Sequence, residues 1–548
     1  MTMRNVDRTE RVQLKVTPLT PVHIGMGQDF DPTGYVIDDG LLYHFDPAAM
    51  SLDEGDRRAL LACTKQPGAD AILAIQRFFL ERKELCKAAS RIVVPVAPGV
   101  AEQYRERVGR VAQRESSSTA VNQLEIERTV HHPHTGVPYL PGTSVKGSIR
   151  TAWLDKINSG HSLLDSEQRL KERQQSQEME RRLLDDGHFK TDPFRLLSIS
   201  DASGPDVASQ VYFSTNHKKR PVMRDGNELP AQGPVARREC IAPAQYGSLN
   251  LSVAIDSLLG KFERGDTPTP QARLGSWPAV ATACNAFYLP RLRSELVLLA
   301  SRSLCTPSWI ESVQSLLKDL EPAFNAGTAV ILRLGRHSGA ESVTLDGVRS
   351  IRIMKGRGQP AETGRESTTV WLAAAAADSR SDMLPFGWVL AHAADLNLEA
   401  LQQWCIDQPK VDLDEIRRQV SAGRELAQRR AQEAREAEAR HLLEIKLANE
   451  AAEREAARVA AMSDQGKAVE ALKTQLLAYT ATKKQAISGQ LYQAVRKSIS
   501  SAEAGGWSDV DRIALAEVLE SVVPMKIDLA GKKKEINQAA ERLRQPAQ

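Results

Sequence analysis

The chain has 548 residues, 42% of them hydrophobic, and its 72 basic and 69 acidic side chains leave a net charge of only +3. There is room for several domains with sizeable cores, but overall charge gives no argument for a polyanionic partner, so any face that binds one must be a local concentration of cations. Six cysteines without a Cys-x-x-Cys pair fit neither a disulfide framework nor a zinc knuckle, and the absence of an apolar leader or a span-length apolar run makes a reducing cytoplasm the expected location.

In chain order, Val12, Leu14 and Val16 alternate with polar neighbours and predict a strand over 12–24. It runs into Pro21-Val22-His23-Ile24-Gly25-Met26-Gly27, where Gly25 and Gly27 let another backbone or a phosphate come close. His23 is a candidate general base; the alternative, a histidine that hydrogen-bonds a neighbouring loop, is preferred because no second His or Tyr stands at a defined distance. Residues 34–45 alternate around Asp38-Asp39-Gly40, a hairpin signal. A helical pattern covers 53–90, and Pro95 confines the strand over 91–96 to a sheet edge. The pattern over 101–115 predicts a basic amphipathic helix with Arg105, Arg107, Arg110 and Arg114. A strand over 124–130 leads to His131-His132-Pro133-His134, whose turn residues and lack of acidic or cysteine ligands argue against a metal site.

The stretch from Tyr139 to Leu154 is a tight loop feeding a helix. Pro141 and Gly142 punctuate it, Thr143 or Ser144 can cap, and Val145, Ile149, Ala152 and Trp153 recur at helical spacing. Lys146 and Arg150 lie on one face beside amides without intrahelical partners, an arrangement that attracts phosphate; the same residues also read as a buried helix with two solvated cations. Pro-Gly-Thr-Ser-Val-Lys-Gly-Ser-Ile-Arg-Thr resembles the signature of the RAMP superfamily, RNA-binding subunits of CRISPR effector complexes, in which this loop and helix sit in a ferredoxin-like domain. Leu19 to Gly27 is similar to the opening of one branch, the terminal cap subunits of type III-A (Csm) complexes, and Asp192 to Ala202 resembles a second segment of those subunits. Asp201 is expected to be structural, capping a strand end. The polar stretch 161–187 before it reads as a mobile insertion or exposed helix.

Further on, strands are predicted over 210–213 and 239–255, separated by a basic loop with Lys218, Lys219, Arg220, Arg224, Arg237 and Arg238 that is a second candidate RNA contact. Helices over 282–304 and 307–317 precede a buried strand that opens into Arg333-Leu334-Gly335-Arg336-His337-Ser338-Gly339, a backbone nest with cationic walls. This loop resembles the Gly-rich loop near the C-terminal end of RAMP proteins, which contacts the guide-RNA backbone, although it has fewer glycines than the family pattern. Strands over 349–354, 368–372 and 387–391 follow, the first two joined by a basic turn, Lys355-Gly356-Arg357-Gly358. Past 412 the chain is Ala, Glu, Arg and Gln without a sustained heptad seam, which predicts a long exposed helix or hairpin bending near Gly466. The tail has Gly505-Gly506-Trp507-Ser508-Asp509 as a turn and N-cap, and Lys532-Lys533-Lys534 after a glycine.

The expected fold is α+β: tandem ferredoxin-like (RRM-like) RAMP domains at 1–205 and 206–395, a charged helix or hairpin at 396–488, and a small helical segment at 489–548. The resemblance implies a non-catalytic subunit that holds the guide RNA at the 3' end of a type III effector complex and supports crRNA maturation, without cofactor or metal. Its implied partners are CRISPR RNA, other RAMP subunits and a separate trimming nuclease. RNA contacts without base preference are assigned to Gly25, Gly27, Gly142, Ser144, Lys146, Arg150, Lys218, Lys219, Arg220, Arg333, Gly335, Arg336, His337 and Gly339. The alternative is a metal-independent endoribonuclease of CRISPR repeat RNA, with His23 as base and Lys146 stabilising the transition state. A third reading is an adaptor built on the long helix.

Overall fold

Alternation makes the first strand: β1 (Thr9–Pro18) buries Leu14 and Val16 and turns Gln13 outward. The structure, a computed structural model, describes residues 9–546 apart from 51, 111–112, 116–117, 121–123, 185–191, 225–226, 232, 257–272 and 355–359. The basic turn expected at Lys355 to Gly358 lies outside the described residues.

After β2 (Gly25–Phe30) comes the hairpin of β3 (Tyr35–Asp38) and β4 (Leu41–Phe45), whose turn residues Asp39 and Gly40 hold φ of 48° and 75°, the left-handed pair a two-residue hairpin needs. Next, α1 (Glu54–Thr64), α2 (Ala69–Glu81) and α3 (Lys83–Ala89) fill the expected helical stretch, and β5 (Ser90–Pro95) pairs with β4. The basic helix is shorter than its pattern predicts: α4 (Pro98–Arg107) starts on a proline suited to the first helical position, and Arg110 and Arg114 fall outside it. β6 (Ile126–Thr129) then precedes α5 (Gly142–Asn158) and α6 (Glu172–Leu183). Part of the polar insertion is helical: α6 buries Met179 and Leu183, and Leu184 follows, against Leu154 and Leu345.

The strands β7 (Leu197–Ile199), β8 (Ser209–Lys218), β9 (Ala236–Ile241) and β10 (Leu249–Asp256) follow, then α7 (Trp277–Ser301) and α8 (Pro307–Asp319). β11 (Ala329–Arg333), β12 (Thr369–Ala374), β13 (Leu384–Pro385) and β14 (Trp388–Ala393) complete two sheets. The first has the order β11-β14-β1-β10-β7. Within it β1, α5, β7, β10, α7 and β14 make a ferredoxin-like frame, with β1 antiparallel to both β10 and β14. The second has the order β13-β12-β8-β9-β6-β2.

This pairing runs across the boundary expected at 205/206: β1 lies between two strands from beyond it, and β6 pairs with β9. The reason is burial. The first five residues of β14 are all buried, so it needs partners on both edges, and β1 and β11 supply them. One apolar cluster joins both sheets with α5, α7 and α8. The two sheets therefore interleave along the sequence.

The chain divides into two compact units, Met1–Arg430 and Ala431–Gln548. After α9 (Glu399–Asp407), α10 (Leu413–Ala460) carries the sequence from the first into the second. The helix breaks ahead of Gly466, at Ser463, whose hydroxyl accepts from the Gly466 amide at 2.8 Å and so caps α11 (Asp464–Leu477). α11, α12 (Gln490–Glu503), α13 (Asp509–Ser521) and α14 (Lys533–Arg544) share one core that includes Val469, Leu476, Val495, Leu519 and Ile536, which spans the boundary expected at 488/489. Ser508 caps α13, as its position predicts. Among the described residues no helix is long and apolar enough to cross a membrane.

Candidate functional site

The loop after β11 docks onto the segment between β1 and β2. Gly335 has a φ of 81°, and a Cβ there would collide with the His23 carbonyl oxygen. The amide of Arg336 donates to that same carbonyl at 2.8 Å, and the Gly387 amide donates to Pro21 at 2.9 Å. The His23 side chain faces the other way, its Nδ1 2.7 Å from the Glu239 carbonyl. A carbonyl only accepts, so Nδ1 carries the proton and Nε2 is bare. Burial, reinforced by Arg238, pushes the His23 pKa down to about 4. Nε2 is itself buried and without a hydrogen bond.

Above this junction is a cleft of about 810 Å³ on the second sheet. β2 supplies Gly25, Gly27 and Asp29, the loop supplies Arg336, and α4, β6 and β9 supply Arg107, Arg128 and Arg237. Glu125 and Glu127 also line it. Arg128 lies over the Phe30 ring at 4.3 Å and Arg237 over Phe213 at 5.5 Å, so both guanidiniums are held flat by aromatic packing. Burial lowers the Arg237 pKa to about 10, which leaves it charged at neutral pH. Arg128 Nε and Nη2 and Arg237 Nε are buried donors without hydrogen-bond partners. Both guanidiniums are nevertheless held by the protein: Arg128 Nε lies 3.7 Å from Glu239 Oε2, and Arg237 Nη2 donates to Gln103 Oε1, while both residues line the cleft. Glu127 stands among these cations: its Oε2 accepts from Arg336 at 3.0 Å and from Arg238, and lies 3.8 Å from His23 Nε2. Arg336 itself is exposed, with 57% of its side chain accessible.

The phosphate site expected at the start of α5 is closed by the protein itself. Asp201 Oδ1 accepts from the Gly142 amide at 2.8 Å, so it caps this helix rather than a strand end. Lys146 Nζ donates to the Leu197 carbonyl at 2.7 Å, and burial lowers its pKa. Arg150 is bound by Glu180 and by Asp192 at 2.8 Å and lies 4.9 Å over Phe194. The Ser144 amide donates to Pro141. These groups fasten the 192–201 segment to α5. Sequence spacing shows which cations share a face, but not the carboxylates that the fold brings to them.

Other expected contacts are likewise engaged inside the protein. Arg333 is buried, donates to Glu295 at 2.8 Å and to the Phe386 carbonyl at 3.1 Å, and lies over Trp388. Lys219 holds Glu341 at 2.7 Å and, with backbone donors, keeps that carboxyl at about 2. His337 is stacked on Trp371 at 4.6 Å, and burial pushes it to about 3. Gly339 borders Glu341, while Lys218 and Arg220 do not line the cleft. Gly25, Gly27 and Arg336 are thus the expected residues that converge. Arg107 and Arg237 join them from segments already marked as basic, and Arg128, which sequence reasoning missed, comes from a strand whose alternation hides which face is covered. Among the described residues no three His, Cys, Asp or Glu side chains are placed to hold a metal ion.

Residues 15–252 match the model of the RAMP superfamily. No curated protein matches the sequence. Among solved structures, the chain resembles Csm5 of T.onnurineus at 17% identity and a TM-score of 0.39, over 69% of this chain and 99% of that one. It resembles a chain of the Csm-crRNA-target RNA ternary complex of a type III-A CRISPR-Cas system at 17% identity and a TM-score of 0.40, over 70% and 100%.

Proposed function

We propose that this chain, whose residues 15–252 match the RAMP superfamily model, is a non-catalytic guide-RNA-binding subunit of a cytoplasmic type III, Csm-like CRISPR effector complex. In this reading it caps the complex at the 3' end of the guide and supports guide maturation in antiviral defence, with other RAMP subunits as neighbours and a separate nuclease doing the trimming. The observation that supports it is the meeting of two family segments from opposite ends of the first unit, Gly25 to Gly27 and Gly335 to Arg336, in one arginine-lined cleft.

The sugar-phosphate backbone is the part of RNA that such a cleft fits. The glycines of β2 keep the wall low, Arg336 reaches from the rim, and Arg128 and Arg237 present fixed guanidiniums from the floor. Phosphate contacts of this kind carry no base preference and make affinity fall steeply with salt. The endoribonuclease alternative needs a base that touches the reacting hydroxyl. His23 Nε2 is enclosed and Lys146 is tied to the Leu197 carbonyl, so the two proposed catalytic groups do not share the cleft.

The test is to tag the protein in its host, purify it gently and sequence the RNA that accompanies it. Short RNAs sharing a repeat-derived 5' tag, together with other RAMP proteins, are the expected result. Unprocessed repeat RNA on this chain alone would favour the nuclease, and no RNA at all would overturn the assignment.

A further inference from the structure

A second cavity, of about 870 Å³, lies within the first unit and shares no lining residue with the arginine cleft. Its apolar wall is drawn from distant segments: Leu19 just after β1, Leu41 and Tyr212 from the strands, Trp309 from α8, Trp404 from α9 and Ile416 from the start of α10. The two tryptophans are fixed relative to each other, because Trp404 Nε1 donates at 3.0 Å to Ser312, one turn along α8 from Trp309.

The charge around that wall is one-sided. Asp39 on the hairpin turn, Asp382 on the turn before β13, Asp407 at the end of α9 and Asp412 before α10 all line the cavity, against a single cation, Lys410. Among the described residues none of these four aspartates has an ion-pair partner. The other lining acid, Glu415, is paired with Arg418 at 2.7 Å. Asp382 is held by the Thr306 hydroxyl at 3.0 Å, and Asp412 accepts from the Glu415 amide at 2.9 Å, so both carboxylates are fixed in place. An RNA backbone is repelled from such a rim, and an apolar surface is attracted by the aromatic wall behind it.

We infer that this cavity is a docking site for a partner protein, and that the docked segment presents an aromatic or branched aliphatic side chain flanked by lysine or arginine. The choice of a protein segment follows from charge complementarity. The four carboxylates come from four separate turns and ends, and matching them takes several cations on one ligand, which a basic peptide supplies and a singly charged small molecule does not. The apolar side chain seats against Trp309 and Trp404, where aromatic contacts provide most of the binding energy at such sites. The chain thus has two faces of opposite sign, one for a polyanion and one for a basic-apolar segment.

Fluorine NMR of the full chain labelled with fluorotryptophan tests this, with Trp309→Phe and Trp404→Phe assigning the two signals. The probes are acetylated pentapeptide amides: alternating lysine and phenylalanine, alternating glutamate and phenylalanine, and alternating lysine and glycine. The lysine–phenylalanine peptide is expected to shift both signals saturably at micromolar to millimolar concentration, and the other two are expected to leave them in place. Asp407→Asn with Asp412→Asn should weaken binding about tenfold, since asparagine still caps α10 while the charge is gone. Asp39→Asn provides a second charge deletion that keeps the fold, because Asn-Gly suits that turn, and it should weaken binding severalfold. No saturable shift with the lysine–phenylalanine peptide, an equal shift with the glycine peptide, or unchanged affinity in these variants would each overturn the proposal. RNA affinity, read in parallel, should not change.

Discussion

Arg336 donates to Glu127 at 3.0 Å across the mouth of the arginine cleft, and the same carboxylate oxygen also takes Arg238. A carboxylate therefore sits where a phosphate oxygen would satisfy Arg336. In the proposed function RNA competes with this carboxylate, and removing its charge should help RNA. Glu127→Gln, which keeps an acceptor for Arg238, is expected to tighten binding of single-stranded repeat RNA about threefold to tenfold at low salt, with the gain shrinking as salt rises. Filter binding across a salt series measures it. Weaker binding instead would mean that Glu127 serves RNA by aiming Arg336.

The same geometry separates two sets of basic residues that look alike in sequence. Arg336→Gln should lower affinity and reduce the slope of log affinity against log salt by about 0.7, the share of one phosphate contact to a single strand. Lys146→Ala and Arg150→Ala should leave that slope unchanged, because both cations are bound to the protein's own carbonyl and carboxylates. Their effect should fall on stability, about 1–3 kcal/mol for Arg150, visible in urea unfolding. A loss of RNA affinity in Arg150→Ala without a loss of stability would return the phosphate site to α5.

What the sequence discloses is what neighbours decide. The alternation of β1, the Asp39-Gly40 turn, the start of α5 and the Ser508 cap each depend on a few adjacent residues, and each was legible. Gly25, Gly27 and Arg336 were legible through motifs, though not their meeting. Asp201 capping α5, Glu295 holding Arg333 and β1 lying between β10 and β14 depend on segments far apart in the chain. No local pattern contains those pairings. Arg128 illustrates the limit: nothing in its four-residue strand singles it out, and only the fold lays it on Phe30.

Gly335→Ala should report on the junction itself. The residue holds a φ of 81°, and its Cβ would meet the His23 carbonyl that also receives the Arg336 amide. Left-handed strain and a forced backbone shift together should cost about 2–4 kcal/mol in denaturant unfolding. RNA affinity should fall as well, since Arg336 is displaced with the loop. A variant that unfolds like wild type would show that the loop is not seated against His23.

Acid should weaken the fold through its buried histidines. Burial pushes His23 and His44 down to about 4 and His337 to about 3, each below the ordinary value of 6.5 that the unfolded chain regains. Between those values the unfolded state binds more protons than the native state, so stability is intact above about pH 6.5 and is lost as pH falls towards 4. His23 alone should cost about 2 kcal/mol at pH 5 relative to pH 7. The contribution of Glu341, whose carboxyl is held at about 2, is lost only at lower pH, between its ordinary 4.5 and that value. Urea midpoints of wild type and His23→Gln at pH 5 and 7 separate the His23 share, and the variant should be the less pH-sensitive. Equal pH dependence in the two proteins would mean that the His23 imidazole is solvated. A solvated imidazole has an accessible Nε2, and that outcome would restore His23 as a candidate base and the endoribonuclease reading with it.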